Sequence, residues 1–395
     1  MVVSLIIIFF LLFFVTLVVS KNNIFAPGVI TTVIWIFCLS LFLILKHNLP
    51  PLTGQFIKAL SLWVFLYVLS SLFIQTAKYP NKFNYEPSKL VLDIYFILSV
   101  CTYPLLLHFA YTAIKYGATG HWAFDLRLAA LGQTKRFTEM YNAPYFLIWN
   151  AAYLIELFFY SKKNRYRVFI LAFLILSYAF LTMSKFSFLD FFLRTICILY
   201  LTKKVSVKHL LIGLGCLFAF FICLQTIRNS SDMSSMSPTK KFIVMYLIGN
   251  MSAFGTLEPS SSLHFGENTF RVVYSIFNKF GISNIKPVNI ILAWIKEPIA
   301  TNTYTGMYPF FKDFGYWGIG IFATFFGLLF GWIFKKAQQG NVLFVIMYSF
   351  FVTIILAQYV GDVFFTGISG HIKAAVILVL PFLATKYKWF YLKAD

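Results

Sequence analysis

An all-α integral membrane protein is the fold class this sequence predicts, and three observations predict it. Sixty per cent of the 395 residues are hydrophobic. Only 12% are charged, about half the share of a soluble domain. The apolar residues gather into runs of roughly 17–25, the length a helix needs to cross the hydrocarbon core. A soluble enzyme, a nucleic-acid-binding domain and a disulfide-stapled scaffold do not fit this composition.

The first run, near 2–20, begins MVVSLIIIFF. It has no basic stretch before it and no small-residue cleavage site after it, so it reads as a retained first span. Runs near 28–45, 57–75 and 90–114 follow. Four more lie near 144–160, 166–182, 186–202 and 208–227. After a long polar stretch come 314–334, 341–359 and 371–387. These runs make about 11 transmembrane helices, within a range of 10–12. Residues 241–255, KKFIVMYLIGNMSAF, are too short to cross and predict an interfacial or re-entrant helix. Residues 1–395 thus form a single polytopic domain, with 228–313 as a large loop bearing interfacial helices before the last three spans.

Charge sets the expected orientation. The net charge is +20, from 33 Lys and Arg against 13 Asp and Glu. Lys162, Lys163, Arg165, Arg167, Lys203, Lys204, Lys208, Lys335, Lys336 and Lys386 fall in short connections on one side. The short connections opposite hold only Lys46, Lys58, Lys185 and Lys373. Short basic loops stay in the cytoplasm, so the C-terminus is expected inside and the loops near 115–143 and 228–313 outside. Both outward loops are themselves basic. That excess does nothing for topology and points to anionic lipid or a phosphate-bearing substrate.

Five cysteines, at 38, 101, 197, 216 and 223, all lie in apolar runs and predict no disulfide framework. No Cys/His spacing suggests a metal site, and no cofactor is implied. No internal repeat is detectable, which counts against a transporter built from paired halves.

Ionisable groups inside spans are costly and therefore stand out. Here they are Asp93, His108, Glu156, Asp190 and Arg194. Asp190 and Arg194 are four apart, share a helix face and suit an internal ion pair. Arg228 follows a span directly, and Arg271 lies in the same outward loop. An arginine there can fork onto a diphosphate or anchor the interface. Lys185, at the outward end of a span, can reach a phosphate or snorkel to headgroups. His264, Glu267, Asp313, Asp362 and His371 are the outward groups able to move a proton, each also readable as a solvated loop residue.

The stretch TNTYTGMYPFFKDFGYWGIG, residues 301–320, crowds amides, hydroxyls, glycines and aromatics before an apolar run. Asn302, Tyr304 and Tyr308 suit sugar hydroxyls. Asp313 suits a helix N-terminus as well as it suits catalysis. Gly315, Gly318, Gly327 and Gly331 let neighbouring helices approach closely. Trp317 reads as part of an interfacial aromatic belt.

This stretch resembles the late motif of Wzy-type O-antigen polymerases, also called oligosaccharide repeat unit polymerases. The matching residues are Asn302, Tyr304, Thr305, Tyr308, Phe311, Asp313, Phe314, Gly315, Gly318, Gly327 and Gly331. Family members often carry Ser-Arg where this chain has Ser184-Lys185, which keeps the charge and loses the fork. The resemblance implies a glycosyltransferase of the bacterial inner membrane, working without a metal at the periplasmic face. It would join polyprenyl-diphosphate-linked oligosaccharides into O-antigen or a similar surface polysaccharide. Arg228, Arg271 and Lys185 would hold the diphosphate. Asp313, Glu267 and His264 are the candidate bases. The expected partners are the lipid-linked oligosaccharides, membrane lipid and a chain-length regulator protein, with no nucleic acid. An O-antigen ligase and a lipid-linked oligosaccharide flippase are the alternatives.

Overall fold

The structure, a computed structural model, describes residues 1–77, 86–132, 144–228, 240, 243–289, 292 and 301–387. Every regular element among them is helical. The chain forms two compact units, each built from separate stretches of sequence.

The first unit comprises Met1–Pro80, Thr239–Lys336 and Ile354–His371. It opens with α1 (Val2–Val19), α2 (Pro27–Ile44) and α3 (Gly54–Thr76). Pro27 starts α2 at a position where a missing N–H is harmless. Thr53 caps α3, its hydroxyl accepting from the Phe56 N–H at 3.2 Å.

The other unit comprises Asn81–Pro238, Ala337–Thr353 and Ile372–Asp395. It contains α4 (Lys89–Lys115), α5 (Trp122–Ala130), α6 (Pro144–Phe158), α7 (Arg165–Leu181), α8 (Lys185–Leu201) and α9 (Val207–Arg228). The Asp190–Arg194 pair expected from spacing is present at 2.8 Å, with Arg194 also donating to Asn150 Oδ1. Asp93 and Glu156 meet the same partner, Arg167, at 2.6 and 3.0 Å. That triad pins α4, α6 and α7 together. Arg167 had been read only as a topological charge, because its two carboxylates are distant in sequence.

In the first unit, five residues of wide π-type winding (Val244–Ile248) run into α10 (Gly249–Phe254). Every residue of α10 is buried, which counts against the interfacial alternative for this segment and agrees with the re-entrant one. The remaining helices are α11 (Arg271–Lys279), α12 (Tyr308–Gln338), α13 (Val342–Ala357) and α14 (Ile368–Lys386).

Every apolar run predicted from the sequence is a helix. Among the described residues, seven helices are long and apolar enough to cross a membrane: α1, α2, α3, α4, α9, α12 and α14. α6, α7, α8 and α13 have 15, 17, 17 and 16 residues. At about 1.5 Å per residue they reach roughly 22–26 Å, at or below the short end of the crossing range. The expected eleven spans thus divide into seven of full length and four shorter helices.

α12 contains a break that hydropathy does not show. Gly315 has φ 60° and ψ −142°, which ends one helix and starts another. Residues 308–314 then fold against 316–338, with Phe310 stacked on Phe322 at 4.3 Å. Further along, Gly327 and Gly331 seat against the backbone of α3 at Tyr67 and Ser71. A side chain at either would collide with that backbone, so the predicted close approach is real for this pair.

Candidate functional site

A cleft of about 260 Å³ opens in the first unit. Among the described residues, four loop segments, among them the one holding Val288, Asn289 and Leu292, and two helix starts line it. The segment 301–306 supplies Asn302, Thr303 and Thr305, and the start of α12 supplies Tyr308. Asn268 and Arg271 come from the start of α11 and the turn before it. Gly361, Asp362 and Thr366 come from the connection between α13 and α14. Amides and hydroxyls dominate the polar lining. Among the described residues, the charged lining groups are one guanidinium, Arg271, and one carboxylate, Asp362.

Two carboxylates build the walls. Asp313 sits behind the cleft. Its Oδ1 lies 2.5 Å from Ser262 Oγ and accepts from Asn268 Nδ2 at 2.7 Å and the Asn268 N–H at 3.3 Å. Its Oδ2 accepts from the Thr269 N–H at 2.7 Å. Three donors converge on Oδ1 and one on Oδ2, and together they tie residues 262–269 to α12. Asp313 therefore fixes where Asn268 and Arg271 stand.

Asp362 plays a comparable part on the facing wall. Oδ1 accepts from the N–H groups of Phe364 and Phe365, each at 3.1 Å. Oδ2 accepts from the Thr366 N–H at 2.9 Å and its hydroxyl at 3.2 Å. Three of those donors are backbone and immobile. The fourth is a hydroxyl that can rotate away, so one carboxylate lone pair can be handed to another hydroxyl. Burial raises the Asp362 carboxyl above its ordinary value, and the N–H groups pull it part of the way back.

Arg271 Nη2 donates to the Thr366 carbonyl at 3.2 Å, closing the cleft between α11 and the Asp362 turn. Burial lowers its pKa, and the charge of Asp362 partly restores it. Its remaining guanidinium donors are available to an anion.

The two loops are stitched at their base. The Gly306 N–H donates to the Gln358 carbonyl at 2.7 Å, and Thr305 pairs with Gly361 in an isolated parallel bridge. The Gln358 side chain is clamped from the core. Its oxygen accepts from the indoles of Trp35 and Trp63 at 3.1 and 2.8 Å, and its nitrogen donates to Thr31 at 3.0 Å. Asn250, in α10, donates to the Tyr359 carbonyl. Thr305 itself has φ 79°, a left-handed conformation strained for a β-branched residue. It is fully buried, and its hydroxyl has no hydrogen-bond partner among the described residues.

The predicted residues separate cleanly by place. Arg271, Asn302 and Tyr308 line the cleft. Tyr304 packs behind, its ring 5.0 Å from that of Tyr308 in a cluster with Ala253. Glu267 accepts from the Leu263 N–H at 3.1 Å in a surface turn, and His264 is exposed in the same turn. Neither lines the cleft. Lys185 belongs to the other unit, as the first residue of α8 behind the Ser184 cap. Arg228 ends α9, and its side chain lies outside the described residues. Thr305 stands out in the sequence only as a match to the motif, and residue type and neighbourhood do not single out Asn268, Gln358 or Thr366. The string GDVFFTG carried a signal for one of them, since Asp followed by Thr between glycines is capping chemistry. Among the described residues no three His, Cys, Asp or Glu side chains gather as a metal site would require.

Comparison with protein-family models, with curated proteins and with solved structures finds no match to this chain.

Proposed function

We propose that this protein polymerises polyprenyl-diphosphate-linked oligosaccharide repeats by glycosyl transfer in the cleft. The observation that carries the reading is the lining: one guanidinium beside one carboxylate, set in a wall of amides and hydroxyls. Amides and hydroxyls hold sugars by matching donors and acceptors. A guanidinium meets a diphosphate, the leaving group of such a donor.

The reaction needs a nucleophile freed of its proton and a leaving group relieved of its charge. The acceptor sugar hydroxyl attacks the anomeric carbon of the donor, forming the new C–O bond. The bond from that carbon to the diphosphate oxygen breaks, and its electron pair leaves with the diphosphate. Arg271 faces the charge that develops there. Asp362 takes the acceptor proton as the Thr366 hydroxyl swings aside, and passes it to water. Asp313, which stands behind the cleft and is held by four donors, positions Asn268 and Arg271.

About eleven spans, a periplasmic cleft and a bacterial inner membrane location complete the proposal. They rest on the positive-inside bias and on the motif at residues 301–331. A strain lacking the gene tests it. Its surface glycolipid should run as a single repeat on the core in place of a ladder. Complete loss of repeats from the core would favour a ligase, and repeats stranded on the cytoplasmic side would favour a flippase.

A further inference from the structure

We infer that α11 and the turn before it form a lipid-seated platform at the mouth of the cleft. Its occupant is the headgroup and upper acyl layer of an anionic bilayer. The inference is independent of the reaction carried out in the cleft.

No residue of α11 is buried, although the helix is strongly amphipathic. Val273, Ile276, Phe277 and Phe280 stand at i, i+3, i+4 and i+7, the spacing of one helix face. All four are exposed, Phe280 by 73%. Leu263 and Phe265, in the preceding turn, are exposed by 89% and 79%. Tyr274 binds that turn to α11, donating to the Phe265 carbonyl at 2.7 Å. So many large apolar side chains on one short surface do not face water in a folded protein without reason.

Two observations identify lipid as what covers them. The first is depth. Phe270, immediately before α11, packs on Phe314 and Phe322 at 6.2 and 6.3 Å. Phe314 stands just before the Gly315 break and Phe322 about two turns after it, in α12, one of the helices long and apolar enough to cross a membrane. Trp317, two residues after the break, is 83% exposed, as an aromatic at a membrane boundary is. The platform thus lies at the level where α12 meets the membrane surface. The second is charge. Lys279 closes α11 and Lys286 follows it, both exposed or partly so, and an apolar stripe flanked by lysines suits anionic headgroups.

Arg271 joins the platform to the site, being the first residue of α11 and a wall of the cleft. A ligand with an apolar tail and an anionic head can therefore keep its tail in the bilayer while its head reaches Arg271.

Photolabelling of the wild-type protein tests this without mutation. The full chain is reconstituted in phosphatidylglycerol–phosphatidylcholine vesicles containing a diazirine-bearing phospholipid, irradiated, and mapped by peptide mass spectrometry. Adducts are expected on Val273, Ile276, Phe277 or Phe280 and not on Ser275 or Asn278. Adducts confined to the spans, with none between 263 and 282, would overturn the platform. So would labelling that disappears as the protein-to-lipid ratio rises, which marks a contact between copies of the chain. Either failure leaves the glycosyl-transfer reading standing, because the label reports on lipid and not on turnover.

Discussion

Replacing Asp313 by alanine separates a wall-building carboxylate from a catalytic one. The substitution removes the acceptor of three short charge-assisted bonds, from Ser262 Oγ at 2.5 Å, Asn268 Nδ2 at 2.7 Å and the Thr269 N–H at 2.7 Å. Hydrogen bonds to a charged group contribute roughly 1.5–3 kcal/mol each. Asp313 and Ser262 are partly exposed, so water replaces part of what is lost. Thr269 is 2% exposed, so its orphaned N–H is not rescued in the same way. Discounting the exposed contacts gives roughly 3–4 kcal/mol for local opening of residues 262–269. At about 1.4 kcal/mol per tenfold, the Thr269 amide should exchange ~10²–10³-fold faster. Hydrogen–deuterium exchange on the peptide spanning that turn reads this directly, with peptides of α3 as an internal control. Unchanged exchange combined with lost transfer would refute the reasoning and return Asp313 to the chemistry.

Three further outcomes are expected. Arg271→Lys keeps the charge and loses the fork, so kcat/KM for the diphosphate-linked donor should fall by about 10–100-fold, with Arg271→Ala falling further; an unaltered value for both removes Arg271 from the site. Asp362 accepts a proton only when ionised, and burial places its pKa above the ordinary carboxylate value. Transfer should therefore decline as the pH drops through that raised value, and a pH profile of Asp362→Asn should show negligible transfer with donor binding retained; an acidic limb surviving in the variant would assign it to another group. Gly331→Ala places a Cβ against Ile74 Cγ2 and 3.0 Å from the Ser71 backbone, so the Ile74 side chain must move and the two helices must part slightly. It should destabilise the detergent-solubilised protein by roughly 1–3 kcal/mol in thermal unfolding, and wild-type stability would mean that α12 and α3 are not in such close contact.

The helices were legible because a bilayer leaves one solution to an apolar run, a helix with its backbone bonds closed internally. Even the short helices α6 and α13 were found this way, although their lengths stop short of a full crossing. The Asp190–Arg194 pair was legible because four residues make one helix turn. What hydropathy could not show is geometry made by single residues or by distant partners. Gly315 breaks α12 through one residue of positive φ, two residues after Asp313 and at the start of the apolar run. α11 falls within the loop expected to bear interfacial helices, but its place was not specified, although Val273, Ile276, Phe277 and Phe280 carry its periodicity. The site was half visible. Arg271, Asn302 and Tyr308 could be named from residue type and neighbourhood. Asp362 could be named only as one of several proton-moving groups. Its promotion over Asp313, Glu267 and His264 depends on which carboxylate faces the cleft with an exchangeable donor. That, in turn, depends on Gln358 and Asn250 holding the connection from the core, through contacts spanning 323 and 109 residues.

The most direct measurement reconstitutes the purified protein in vesicles with a single polyprenyl-diphosphate-linked oligosaccharide and follows the products by mass spectrometry. Lipid-linked dimers and longer chains of the repeat should accumulate, with one polyprenyl diphosphate released for each new linkage and none formed by Arg271→Ala. A substrate that stays one repeat long, whether left in place or carried across the bilayer unchanged, would contradict the account.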